Sequence, residues 1–216
     1  RPLAPRGPTT VEEMEAFVDG FMDAQMESGP IAGAAVVVVK DGQVFFQKGY
    51  GYEDTEKRTP VDPAQTLFRP GSVSKLFTWT AIMQLVEQGK IDLDADVNTY
   101  LKDFKVDATF PEPVKVRNIM THTGGFEDGG VGYLFAGTAE DLLPLGQWLA
   151  AHPPARVRPP TTDFSDGTNA SYSNWATALG GHIVEVVSGQ SFDEYIEQHI
   201  FQPLGMERST FREPLP

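Results

Sequence analysis

The sequence predicts an α/β plus all-α architecture, a helix and a β-rich stretch followed by helices joined by long loops. Two observations carry that reading. The run "AAVVVVKDGQVFFQKGYGY" holds two β-rich stretches joined by Asp41-Gly42, a dipeptide that accepts the positive φ angles of a tight hairpin turn. From Ser72 onward, apolar residues recur at helical spacing between capping and stop signals.

The elements follow in chain order. Residues 1–9, "RPLAPRGPT", are Pro-rich and read as an extended lead-in. Thr10 and Glu13 form a capping box, and Val11, Met14, Phe17, Val18, Phe21 and Met22 recur at helical spacing until Gly29-Pro30 stops them. Strands are expected near 34–40 and 43–49. A two-stranded hairpin is barely stable alone, so these strands need others beside them, and none of comparable quality follows. Helices are expected over about 73–88, near 94–101, near 115–121, from Thr138, and over about 174–187 and 192–200. Gly/Pro-rich loops at 122–137 and 152–171 lie between them, and loops of that length inside a compact domain are usually functional. The chain thus divides into the lead-in, a helix-and-hairpin part over 10–69, and a mostly helical part over 70–216.

Composition removes several function classes. With 216 residues, 40% of them hydrophobic and 22% charged, the chain can bury a sizeable core. Thirty acidic against 17 basic residues give a net charge of −13, which repels phosphate backbones and anionic headgroups, so neither nucleic acid nor a membrane surface is an expected partner. The absence of cysteine removes disulfides, thiolate metal sites and a Cys nucleophile. No apolar run approaches the roughly 18 residues of a membrane span, so no membrane insertion is expected. A chain starting at Arg1 is compatible with a mature exported protein, periplasmic or secreted, with a cytoplasmic location as the alternative. His122, His152, His182 and His199 lack metal-ligand spacing, and "DLDAD" lacks the glycine and terminal glutamate of a calcium loop. The glycines of "GYGYED" and "GGFEDGGVGYLFAG" read as turns or cleft edges, and no G-x-S-x-G occurs.

Chemistry concentrates at two helix starts. Ser72 and Lys75, three residues apart, share one helix face, where the helix dipole favours negative charge on Ser72 and disfavours positive charge on Lys75. A lysine is a weak base at neutral pH unless its ammonium is desolvated, and "LFTWTAIM" supplies an apolar context for that. The plainer alternative has Ser72 capping the helix and Lys75 in solvent, and roughly a third of one S-x-x-K match arises by chance. The second start presents Tyr172-x-Asn174, a spacing for which roughly a tenth of a match is expected by chance. Tyr172 brings a phenol that can pass a proton, and Asn174 an amide that can hold a substrate carbonyl or the lysine. A packed tyrosine with Asn174 as the helix cap is the plainer account.

"PGSVSK", "MTHTGGF" at 120–126, "YSNWATALGGHIVEVVSGQSFDEYI" at 172–196 and "IFQPLGM" at 200–206 together resemble the serine β-lactamase and penicillin-binding-protein superfamily, on its class C β-lactamase and esterase side. The resemblance covers about 34–206, with the elements in the family's order. It implies a β-lactamase/transpeptidase-like fold in which Ser72 is acylated, Lys75 and Tyr172 share the general-base role, and Asn174 orients substrate. The Ser72 backbone N–H would donate half of an oxyanion hole, and no cofactor is implied. The implied function is a serine hydrolase forming an acyl-enzyme on small esters, β-lactams or D-amino-acid peptides, with the ester first. The alternative is a non-catalytic ligand-binding relative or an inactive fragment of a longer hydrolase. Two departures stand out: the family's H-T-S-G reads His122-Thr123-Gly124-Gly125, and the third motif, Lys-Thr-Gly or His-x-Gly on a downstream strand, does not appear. The expectation is therefore the N-terminal portion of the fold, lacking the C-terminal strands of its antiparallel sheet, with a C-terminal segment or a second chain completing it.

Overall fold

A computed structural model of the chain describes residues 7–128, 137–163 and 170–215. Residues 1–6 of the expected lead-in, and 129–136 and 164–169 of the two expected loops, lie outside the described residues. The chain separates into two compact units, Arg1–Arg69 and Pro70–Pro216.

The first unit is built from α1 (Val11–Ser28) and three antiparallel strands, β1 (Gly33–Lys40), β2 (Gln43–Asp54) and β3 (Thr59–Pro60), in the order β1-β2-β3. The capping box forms as read: Thr10 Oγ1 accepts from Glu13 N at 3.2 Å while the Glu13 carboxylate accepts from Thr10 N. Of the apolar stripe on α1, Val18 and Met22 bury against Phe46 of β2, whereas Phe17 and Phe21 are exposed. The strand side chains alternate in the expected way: Ala34, Val36 and Val38 face this small core, and Val37, Val39 and Val44 are exposed. Lys48 and Tyr50 on β2 clamp the helix through Asp19, with Lys48 Nζ 2.9 Å from one carboxylate oxygen and Tyr50 donating at 2.8 Å.

"GYGYED" is strand, not turn, which corrects the sequence reading. β2 continues through it to pair with β3, Tyr52 opposite Pro60. The glycines serve close approach: a Cβ on Gly49 would lie 2.2 Å from the Val61 carbonyl oxygen, and one on Gly51, at φ +65°, 2.3 Å from that of Ala32.

The second unit is helical. Its described elements are α2 (Lys75–Glu87), α3 (Val116–Met120), α4 (Leu145–Ala151), α5 (Asn174–Ser188) and α6 (Phe192–Ile196), which continues as a π-helical turn over Glu197–Phe201, with 3-10 turns at Gly71–Ser74, Val97–Thr99 and Ala139–Asp141. α5 packs on α2, burying Trp175, Leu179 and Ile183 beside Ala81, Ile82 and Leu85. Leu149 on α4 belongs to the same core. Two expected helices are shorter than read. The helix near 94–101 is only the turn Val97–Thr99, capped by Asp96, because Asn98 N is taken by the Asp96 carboxylate and Val97 N by the Val114 carbonyl, two N–H groups that a longer helix would need. The helix from Thr138 is interrupted, and α4 begins after Pro144, which has no N–H to continue the ladder. Among the described residues, no helix is long and apolar enough to cross a membrane.

Candidate active site

All four residues singled out in the sequence lie in the second unit, and the structure brings them together. Ser72 stands in the 3-10 turn Gly71–Ser74 that runs into α2, and Lys75 is the first residue of α2. That spacing lets Lys75 Nζ donate to Ser72 Oγ at 2.9 Å. Ser72 does not cap α2: the position before the helix is held by Ser74, whose side chain makes no capping bond.

Tyr172 sits in the extended approach to α5, its hydroxyl 2.6 Å from Ser72 Oγ and its ring 4.7 Å beneath Lys75 Nζ. Asn174 is not the helix cap; Ser173 is, its Oγ accepting from Ala176 N at 3.1 Å. With the cap supplied by Ser173, the Asn174 side chain is turned to other work, and its Oδ1 accepts from Lys75 Nζ at 2.7 Å. The lysine ammonium therefore bridges the Ser72 hydroxyl and the Asn174 carbonyl.

The environment of Lys75 differs from the expectation. The apolar run that follows does not enclose it, since Leu76 is 63% exposed, and Thr78, Ala81, Ile82 and Leu85 turn into the core instead. Lys75 is half-buried, held by Ser72, Asn174 and the Tyr172 ring. A cavity of about 300 Å³ borders Lys75 and Asn174 and is walled by Thr78, Leu145, Phe192 and Phe211. Burial pushes the Tyr172 phenol up, but interaction with Lys75 and Ser72 outweighs it and holds the phenol below its ordinary value, against the opposing charge of Asp128.

Two further residues complete the cluster. Asp128 Oδ2 accepts from Asn174 Nδ2 at 3.1 Å, and its Oδ1 accepts from the Asn174 backbone N at 3.2 Å. His122, at φ +56°, stacks its ring 4.3 Å from that of Tyr172 and accepts from Ser173 N through Nδ1 at 3.3 Å, which fixes the neutral Nε2–H tautomer. Burial, then the Lys75 charge, lowers the His122 pKa and keeps the ring neutral. Both residues come from the "MTHTGGF" stretch and its continuation, which is pinned below by buried Asn118 and Thr123. Gly125 in this loop has φ +75°, and a Cβ there would lie 2.0 Å from the Arg158 carbonyl oxygen, so this position requires glycine. Sequence spacing does not reveal Asp128, which meets Asn174 across 46 residues; the nearest signal is the motif that precedes it. His182 is packed, stacked on Phe104 with Nδ1 3.0 Å from Glu185. Among the described residues, no cluster of His, Asp or Glu is arranged to hold a metal ion.

Comparison with known proteins gives the family and the fold. The family model described as Beta-lactamase matches residues 18–216. Protein flp of Staphylococcus aureus (strain MW2) is 28% identical over 197 residues, covering 91% of this chain and 38% of the relative. The octameric penicillin-binding protein homologue from Pyrococcus abyssi superposes with a TM-score of 0.76 at 33% identity, covering 92% of this chain and 44% of that one. EstCE1, described as a hydrolase with promiscuous acyltransferase activity, gives a TM-score of 0.69 at 26% identity, covering 89% of this chain and 51% of that one. The chain therefore spans about half, or less, of the length of the proteins it matches.

Proposed function

This chain belongs to the Beta-lactamase family, and we propose on that premise that it carries the nucleophile of a serine hydrolase acting through a Ser72 acyl-enzyme. The carrying observation is the position of Ser72 Oγ, 2.6 Å from the Tyr172 hydroxyl and 2.9 Å from Lys75 Nζ. Ser72 Oγ attacks the substrate carbonyl carbon as its proton passes to the Tyr172 oxygen, which the Lys75 ammonium favours as phenolate, so that the two residues fill the base role together. The C–O bond to the leaving alcohol then breaks, and the alcohol takes that proton. Water hydrolyses the ester on Ser72 in a second cycle of the same transfers. A lowered phenol pKa supports Tyr172 in this role, since it brings the phenolate nearer the working pH.

Asn174 holds Lys75 through Oδ1 and offers an Nδ2 hydrogen to the substrate. The Ser72 backbone N–H supplies one oxyanion donor; the second comes, in this reading, from a strand provided by a C-terminal segment or a second chain. Small esters rank first as substrates, ahead of β-lactams and D-amino-acid peptides. The apolar walls of the cavity beside Lys75 favour that order.

The test is a hydrolysis panel of a short-chain nitrophenyl ester, nitrocefin and a D-Ala-D-Ala peptide, run on the chain and on its longer parent polypeptide. The ester is expected to turn over fastest, with activity abolished in Ser72→Ala. Turnover that survives Ser72→Ala, or binding of all three without turnover, overturns the proposal, and the second outcome would mark a ligand-binding relative.

A further inference from the structure

We infer that Asp128 is a positioning residue for this site: it holds the Asn174 amide in the orientation that turns Oδ1 toward Lys75 Nζ. The inference rests on the hydrolase reading above.

An asparagine amide has nearly the same shape when flipped, so its orientation is set by its neighbours. Here the two neighbours have opposite and exclusive hydrogen-bonding character. A carboxylate only accepts, and an ammonium only donates. Asn174 Nδ2 lies 3.1 Å from Asp128 Oδ2 and 3.4 Å from Oδ1, while Oδ1 of Asn174 lies 2.7 Å from Lys75 Nζ. Flipping the amide would set carbonyl oxygen against carboxylate and NH₂ against ammonium, making both contacts repulsive. Asp128 also accepts from the Asn174 backbone N at 3.2 Å, at the positive end of the 15-residue helix α5, where a carboxylate is favoured. The carboxylate thus grips Asn174 by both side chain and main chain.

The consequence reaches the nucleophile through two bonds. Asp128 fixes Asn174, Asn174 fixes Lys75 Nζ, and Lys75 lies 2.9 Å from Ser72 Oγ. One Nδ2 hydrogen is spent on Asp128, which leaves the other to meet a substrate carbonyl. The charge has a second effect. Tyr172 is faced by Ser72 and Lys75 from the start of α2 and by His122 and Asp128 from the loop. Asp128 opposes Lys75 there, so removing its charge lowers the Tyr172 phenol further and moves the acid limb of the pH profile to lower pH.

The experiment compares Asp128→Ala and Asp128→Asn in the active polypeptide with a nitrophenyl ester. Asp128→Ala is expected to lower kcat about 100-fold, the scale of a misplacement by about 1 Å, with KM little changed. Asp128→Asn retains an accepting oxygen for Asn174 and is expected to lose about tenfold. Both variants move the acid limb to lower pH. A kcat for Asp128→Ala within about twofold of the parent, or an unmoved acid limb in both variants, overturns the inference. An inactive parent means that the hydrolase reading has failed, and the amide is then read directly by ¹⁵N–¹H spectroscopy. The bonded Nδ2 proton of Asn174 is expected to move upfield in Asp128→Ala, and a resonance that stays in place overturns the inference.

Discussion

Replacing Gly125 by alanine tests whether the loop beneath the site is built as described. The residue has φ +75°, a left-handed conformation that costs an L-residue about 1–2 kcal/mol. The added Cβ would also lie 2.0 Å from the Arg158 carbonyl oxygen and 2.9 Å from its carbon, closer than any real contact, so one of the two backbones must move. The bonds at risk are Val157 N to Gly125 O at 2.8 Å and Glu127 N to Ala155 O at 2.9 Å. Losing one adds about 1 kcal/mol, for a total of about 2–3 kcal/mol. In a chain of this size that lowers the melting temperature by about 4–12 °C. Gly189→Ala is the control: it shares φ +75° but has nothing within 4 Å of the added Cβ, so it bears only the conformational cost of about 1–2 kcal/mol. Thermal melts followed by circular dichroism at a helical wavelength compare the two. If Gly125→Ala melts at or above Gly189→Ala, the close approach of the two loop segments is refuted.

Three further outcomes are expected. Ser173→Ala removes the α5 cap and is expected to cost about 1 kcal/mol in a denaturant titration; an unchanged midpoint contradicts the capping assignment. Ultraviolet titration of the parent against Tyr172→Phe is expected to show one phenol ionising below the ordinary value of about 10, and a Tyr172 that ionises at or above it contradicts the dominance of Lys75 and Ser72. In the first unit, the Asp19 carboxyl is held below its ordinary value by Lys48, then by Tyr50. Its contribution is complete above the unfolded pKa of about 3.9 and is lost as pH falls through the lowered folded value, so Asp19→Asn should flatten the acid side of the stability profile.

What was legible in the sequence was what is fixed over a few residues. The capping box at Thr10 and Glu13, the Asp41-Gly42 turn and the three-residue spacing of Ser72 and Lys75 are local facts, and each appears in the structure. Helix ends failed where a side chain or a proline competes with the backbone, as at Asp96 and Pro144. The extension of β2 through Gly49 and Gly51 depends on Val61 and Ala32, partners that no local pattern announces. In the site the same division holds. Tyr172 meets Ser72 across 100 residues, a pairing that only the resemblance to a known family suggested. Asp128, one residue beyond Glu127 in a Gly-rich stretch, reads as an ordinary surface acid until its contacts with Asn174 are seen. The plainer account of Asn174 as the helix cap fails because Ser173 takes that position, which leaves the Asn174 amide for Lys75.

The most direct measurement is peptide mapping by mass spectrometry after rapid acid quench of the active polypeptide with a nitrophenyl ester. The account predicts an acyl mass on the peptide containing Ser72, absent from Ser72→Ala and greatly slowed in forming in Lys75→Met and Tyr172→Phe. An adduct on another residue, or one that forms on Ser72 at the parent rate in both partner variants, would contradict it.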